Sequence, residues 1–231
     1  MKVFAMDTSS LTATVAVLSD EKLLGEYSVS DKLTHSQTIL PMSDELLKSL
    51  NLKISDIDVF SVCVGPGSFT GLRIGMATVK TFSQALSKPI IGISSLDAIA
   101  YSFFGTDNTI ICPIVDARRD EVYNALYVNG NKTVADRALH IDTLLDDLKG
   151  KKVIFAGDGA ILHKDRILSY VEENWSIAPQ NMILAKASSV AYCAYLKAQK
   201  GDYDDCYALE PVYLRKSQAE RELEERQKSD K

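Results

Sequence analysis

The chain has 231 residues, 46% of them hydrophobic and 25% charged, with only 12 glycines and 6 prolines. That composition excludes disorder, collagen-like repeats and low complexity over most of the length, and it suffices for one large or two small domains with real cores. The 26 Lys and Arg against 31 Asp and Glu leave a formal charge of −5, which opposes autonomous nucleic-acid binding because phosphate neutralisation supplies most of the affinity there.

Val3 to Met6 is a short apolar run closed by the turn-prone cluster Asp7, Thr8, Ser9 and Ser10. Thr12 to Leu18 alternates with β-branched residues, Asp20 to Lys22 breaks it, and Leu23 to Val29 follows, which predicts an antiparallel meander. From Ser36, Ile39, Met42, Leu46 and Leu50 recur at helical spacing, with Leu40 and Leu47 on a second side. Val59 to Val64 reads as a buried strand, Gly65-Pro66-Gly67 as a tight turn, and Gly71 to Leu86 as a helix stopped before Pro89. Ile90 to Ile93 is the next strand, and Ser94 or Ser95 can cap a helix carrying Leu96, Ile99 and Ala100.

The pattern then restarts. Ile110 to Val115 ends in Asp116, Val122 to Val128 follows a charged turn, and Gly130 marks a hairpin end. Asp142 to Leu148 reads as a helix and Val153 to Ala156 as a strand. Gly157-Asp158-Gly159 is a turn opening a helix near Ala160, and Ala187 to Gln199 is a last strong helix. Two related α/β halves are expected: residues 1–106, then 107–215 with helix 187–199 free to pack back on the first half, and an exposed charged tail over 216–231. No apolar run nears the roughly 18 to 20 residues that cross a bilayer. Asp7 comes too early for a signal-peptide core, so a cytosolic protein is expected.

The four cysteines form no C-x-x-C pair, and Cys63 and Cys112 read as buried small hydrophobes. His35, His140 and His163 make no H-x-x-x-H or H-E-x-x-H pair, so no local metal motif exists, and His35 reads as a capping or surface residue. The most specific string runs from Gly65 to Gly75 between a strand and a helix. Its glycines match neither G-x-G-x-x-G nor a Walker loop, and Ser68 lacks the G-x-S-x-G elbow. A structural role is favoured, with glycines for the turn and Ser68 or Thr70 as helix cap.

Gly71 and Gly75, four apart, leave a smooth patch where another backbone can come close. Leu72, Met76, Val79, Phe82 and Leu86 form one stripe on this helix, and Ile74, Ala77, Thr81 and Ala85 a second. The second stripes of the two helices call for packing on each other or on a partner protein. Asp7 and Asp116 sit at equivalent strand ends, where a carboxylate could hold a hydrated metal and turn groups a phosphate. Asp7-Thr8-Ser9 suits that role better than the crowded segment Asp116 to Glu121.

With these pieces together, the chain resembles the bacterial TsaB (YeaZ) family, relatives of the TsaD transferases. The similarity runs nearly end to end. Its carriers are Asp7-Thr8-Ser9, His35-Ser36-Gln37 with Leu40-Pro41, the Gly65 to Gly75 string, Gly92 to Leu96, Val115 to Arg118 with Glu121-Val122-Tyr123, Gly157-Asp158-Gly159, and Pro211 to Arg215. The resemblance implies an α/β protein of two ribonuclease-H-like lobes, the acetate kinase/sugar kinase/Hsp70/actin (ASKHA) fold. It also implies a part in forming threonylcarbamoyladenosine beside the anticodon of tRNA. In that system TsaC makes threonylcarbamoyl-adenylate, TsaD transfers the group, and TsaB with the ATPase TsaE supports TsaD.

On that basis the expected role is a non-catalytic accessory subunit binding and activating a TsaD-like transferase. A TsaE-like ATPase joins through the complex, a homodimer is a second association, and tRNA is met only indirectly. No membrane partner, metal or cofactor of its own is expected, and ATP or ADP is expected only at the level of the complex. Family members use the two first-lobe helices for a helix-bundle dimer. The implied interface residues are Ile39, Leu40, Met42 and Leu47 on the first helix and Gly71, Arg73, Ile74, Gly75, Ala77, Thr78 and Thr81 on the second. Asp7, Thr8, Ser9, Asp116, Gly157, Asp158 and Gly159 mark a vestigial nucleotide site. Where TsaD carries a His-x-x-x-His metal pair, this chain has Ser95 to Ile99. The competing expectation is an independent ATP-dependent kinase or phosphohydrolase with Asp7 as metal carboxylate and Thr8 and Ser9 at phosphate. A direct tRNA binder is disfavoured by charge.

Overall fold

The computed structural model describes residues 1–30, 34–170 and 173–214, so the charged tail expected over 216–231 lies outside the described residues. The meander forms as the alternation requires: β1 (Lys2–Asp7), β2 (Ala13–Ser19) and β3 (Lys22–Val29) pair antiparallel. Helix α1 (His35–Ser49) follows, its Thr34 amide donating to Gln37 Oε1. Then come β4 (Val59–Gly65), α2 (Phe69–Leu86), β5 (Ile90–Ser94) and α3 (Ser95–Tyr101). Both cap choices resolve to the earlier serine: Ser68 Oγ accepts from the Gly71 amide and Ser94 Oγ from the Leu96 amide.

The second half repeats the first. β6 (Ile110–Asp116), β7 (Glu121–Val128) and β8 (Asn131–His140) form a meander, α4 (Ile141–Leu148) follows, and β9 (Val153–Ala156) pairs parallel to β6. Short helices α5 (Asp158–Leu162) and α6 (Lys164–Ser169) lead to β10 (Trp175–Ile177) and then α7 (Ala187–Ala198). The sheets run β3-β2-β1-β4-β5 and, read in the same sense, β8-β7-β6-β9-β10. Each is the ribonuclease-H-like order, three antiparallel strands followed by two parallel ones. Neither β8 nor β10 shows in the sequence pattern. β8 is an edge strand interrupted by Lys132, Asp136 and Arg137, and β10 has three residues, so neither carries a clean period of two.

Both faces of each central strand are buried, and the period of two sorts them into separate cores. Phe4, Met6, Val15 and Val17 face α1 and α2, with Phe60 and Phe82 packed edge-on around Phe4. Val3, Ala5, Cys63 and Ile91 face the other way, into a core shared with Ile111, Val115 and Tyr127 of the second sheet. Helices α3 and α7 fill that shared layer, with Ala98, Ile99, Val190, Ala191 and Ala194 all buried. A third core lies under α4 and α6, around Leu144, Leu145, Phe155 and Ile167. Helix α7 lies across β1 and β2, so the last described helix covers the first sheet.

Beyond α7 the chain straps the β5 edge. Asp204 makes an isolated bridge with Ile90 and accepts from the Gly92 amide at 2.7 Å, Lys80 Nζ donates to the Leu209 carbonyl at 3.0 Å, and the Val212 amide donates to the Val64 carbonyl. No helix among the described residues is long and apolar enough to cross a membrane.

The start of α7 is held from the first sheet, where Glu26 Oε1 on β3 accepts from both the amide and the hydroxyl of Ser188, at 2.8 and 2.9 Å. Glu26→Ala should therefore lower stability by about 1 kcal/mol, read as a lower midpoint in urea with an unchanged slope.

Candidate functional site

The β1–β2 turn is sealed by the loop that begins α2. Thr8 Oγ1 donates to the Gly71 carbonyl at 2.8 Å, and the Ser68 amide donates to the Ser9 carbonyl at 2.7 Å. A methyl group at Gly71 would overlap the Thr8 carbonyl, one at Gly75 the Thr8 hydroxyl, and one at Gly67 the Ser9 carbonyl. These glycines are therefore the seat of the chain's own turn. That corrects the expectation for Gly71 and Gly75: the backbone that comes close to their patch is Thr8, and both residues are buried under it. His35 Nε2 donates to the Ser10 carbonyl at 2.8 Å and ties the start of α1 to the same turn.

Asp7 lies at the bottom of this seat. Its Oδ1 accepts from the Ser9 amide at 2.7 Å, and its Oδ2 has no partner in hydrogen-bonding geometry among the described residues, although the Cys63 thiol lies beside the carboxyl group. Burial pushes the Asp7 carboxyl above the usual range, against the lowering effect of the Ser9 contacts. Burial and the neighbouring Asp7 push the Cys63 thiol well up, and burial takes Cys112 to about 12, so both are inert core thiols. A magnesium–nucleotide fits this turn poorly. A metal carboxylate needs an open face, and a phosphate needs free amides and hydroxyls, whereas here the Thr8 hydroxyl and the Ser9 amide are already spent inside the chain.

The second-half residues do converge. The Asp116 amide donates to Asp158 Oδ1 at 3.1 Å, while Gly157, at φ +97°, and Gly159 press against Ile114 where any side chain would collide. Burial raises the Asp158 carboxyl, against the lowering effect of the hydrogen bond from the Asp116 amide. Ser95 and Ile99, the positions that the resemblance sets against a metal pair in TsaD, are spent elsewhere. Ser95 Oγ donates to the Pro66 carbonyl, and Ile99 is in the shared core. Between them, Asp97 accepts from the buried Tyr127 hydroxyl and pairs with Lys132.

The β6–β7 turn carries a feature that no sequence signal announces. Arg118, Arg119 and Asp120 all have left-handed φ, at 63°, 57° and 58°. Glycine, or a single asparagine or aspartate, usually takes such positions, and an arginine costs about 1–2 kcal/mol there.

On the outer face of the first lobe, Ile39, Met42 and Leu47 are buried against the sheet, so their expected exposure to a partner is corrected too; the core needs them. Leu40 is 49% exposed, Arg73, Ala77 and Thr81 are exposed, and Ile74 and Thr78 are half-buried. Thr78 and Thr81 donate back to the Ile74 and Ala77 carbonyls. At the N-terminal end of α2, the Arg73 guanidinium sits 3.9 Å over the Phe69 ring and its Nε donates to the Tyr213 hydroxyl, with the Phe69 and Tyr213 rings stacked. The strap thus contributes to this face.

The family model described as TsaD, tRNA N6-adenosine threonylcarbamoyltransferase, matches residues 23–223. The tRNA threonylcarbamoyladenosine biosynthesis protein TsaB of Bacillus subtilis (strain 168) is 33% identical, over 99% of this chain and 100% of its own length. The chain belongs to the TsaB (YeaZ) family. The solved structure of YeaZ from Pseudomonas aeruginosa is 25% identical, spans 92% of this chain and 99% of its own, and superposes with a TM-score of 0.79. The ROK hexokinase of Thermus thermophilus, 11% identical over 86% of this chain and 100% of its own, superposes at 0.52. That likeness is one of fold alone, the two-lobed ASKHA fold.

Two substitutions test the sealed turn. Gly71→Ala should cost about 1–3 kcal/mol through overlap with Thr8, seen as a lower thermal midpoint. The Asp7 carboxyl has a folded pKa above its unfolded one, so its contribution is whole below the unfolded pKa and is lost as pH rises through the folded pKa. Asp7→Asn keeps the acceptor for the Ser9 amide, and urea melts from pH 4 to 8 should show it more stable than wild type at neutral pH, with a flatter pH profile.

Proposed function

We propose that this chain is an accessory subunit of the machinery that forms threonylcarbamoyladenosine in tRNA, binding and activating a TsaD-like transferase and performing no chemistry of its own. The observation that carries the reading is the full-length match to a TsaB protein, joined to the outer face of α1 and α2. Leu40, Ala77 and Thr81 are apolar or small on that face, and the threonine hydroxyls are already satisfied by their own helix. Such a face can be covered without stranding a buried donor. Arg73 and Phe69, braced by Tyr213, supply an aromatic and cationic anchor at one end, the residue types that dominate hot spots.

The sealed Asp7-Thr8-Ser9 turn supports a scaffold over an independent ATP-dependent kinase or phosphohydrolase, because the Asp7 carboxyl is buried and the Thr8 hydroxyl is already used within the chain. ATP or ADP then belongs to the complex, a TsaE-like ATPase joins through the transferase, and self-association through the same helices is the alternative use of the face. A cytoplasmic location follows from that role.

Ala77→Glu is the test, because Ala77 is exposed and its replacement leaves the core and the Thr8 seat untouched. The variant should keep the wild-type circular dichroism and melting temperature but lose the complex with a TsaD-like transferase on size-exclusion chromatography, with affinity falling at least about tenfold. A complex that persists overturns the assignment of this face.

A further inference from the structure

We propose that Lys132 is a tethered counter-ion that locks the two lobes at one angle, and that its charge rather than its packing does so. Polar side chains gather around it where α3 of the first lobe passes the β7–β8 hairpin of the second. The Lys132 ammonium lies 2.8 Å from Asp97 Oδ1 and 2.7 Å from Asp136 Oδ1. The Tyr127 hydroxyl donates to the same Asp97 oxygen at 2.7 Å. Ser94 Oγ, the cap of α3, donates to Asp136 Oδ2 at 2.7 Å. Ser94 and Asp97 follow from the first sheet, whereas Tyr127, Lys132 and Asp136 stand on the second. The contacts of Asp97 with Lys132 and Tyr127, and of Ser94 with Asp136, therefore cross between the lobes.

The local structure serves this meeting. Pairing of β7 with β8 slips on both sides of Leu126, and such irregularities re-aim side chains; across them Lys132 and Asp136 both reach α3. Asp97 lies in the first turn of α3, where the helix end favours a carboxylate. The buried Tyr127 ring lies 5.5 Å from the ammonium. Although burial works against it, hydrogen bonds to Asp136 and Asp97 hold the Lys132 ammonium above its ordinary range. A solvated surface pair contributes little, but here the Lys132 and Asp136 side chains are only 31% and 19% exposed, and they belong to a network. Two carboxylates from different lobes, both within reach of one nitrogen, repel each other once the cation between them is gone. The apolar layer between the lobes is non-directional and does not select an angle; the directed polar contacts do. A partner then meets both lobes as one preformed body, without the cost of ordering them. The lock is independent of the docking reading.

The chain's own cysteines report on the lock. Cys63 is buried in the layer between the lobes and Cys112 in the outer core of the second lobe, so each reacts only when its own layer opens. Lys132→Met keeps an apolar stem and removes the charge. In that variant of the full chain, Cys63 should react with a maleimide about tenfold faster than in wild type, with Cys112 unchanged, as read by mass spectrometry of the labelled peptides. Asp97→Asn keeps an acceptor for Tyr127 and should also speed Cys63. The double variant K132M/D97N should be no faster than the faster single one, because it removes the repulsion between the carboxylates. In Lys132→Ala, ethylammonium chloride should restore the slow rate, whereas sodium chloride at the same concentration should not. A wild-type rate at Cys63 in Lys132→Met, equal acceleration of Cys63 and Cys112, or no rescue by ethylammonium overturns the proposal. Ala77→Glu should leave both cysteine rates at their wild-type values.

Discussion

The contact between Thr8 and the start of α2 governs the arrangement of the first lobe. Helix α2 must lie close enough to the β1–β2 turn for a hydroxyl to reach the Gly71 carbonyl, and that closeness is available only because positions 67, 71 and 75 have no side chain. The depth of the seat then fixes which side of α2 meets the sheet. Leu72, Met76 and Val79 go into the core, and the stripe of Arg73, Ala77 and Thr81 is turned outward. One packing requirement thus sets both the inside of the lobe and the surface it offers.

The same contact accounts for the state of the turn that was expected to mark a vestigial nucleotide site. A phosphate hairpin needs unspent donors around an accessible carboxylate. Here the turn has given its hydrogen bonds to the protein and buried Asp7 against Cys63. On the second lobe the equivalent turn stays at the surface, but its backbone is spent as well and its charge is carried by side chains. Two related turns have diverged, one inward to build the fold and one outward to meet solvent. Nearby side chains follow the first course: Ser95 ties down Pro66, and Ile99 joins the layer between the lobes.

Most strands and the longer helices could be read from periodicity, because burial on two faces leaves long apolar runs and burial on one leaves a helical stripe. The edge strand β8 and the three-residue β10 could not, since exposure on an edge removes the pattern that reveals a strand. The sequence of the Gly65 to Gly75 string said that something approaches closely but could not say what, and Thr8, some sixty residues away, is invisible to local reasoning. Leu47 illustrates the same limit, because a helix wheel assigns sides but does not say how wide the buried side is. The left-handed run at Arg118, Arg119 and Asp120 has no signature, for arginine does not ordinarily adopt that conformation and aspartate does so only as a single residue.

Helix α7 gives the molecule a particular order of assembly. It is drawn from residues 187–198, after the whole second sheet, yet it covers β1 and β2 of the first. During synthesis the first sheet is complete by residue 94, and α3 follows at once, but the cover that α7 gives β1 and β2 comes only after nearly a hundred further residues. The two lobes are repeats in architecture, yet Val3, Ala5 and Ile91 of the first sheet gain their full cover only once α7 has been made.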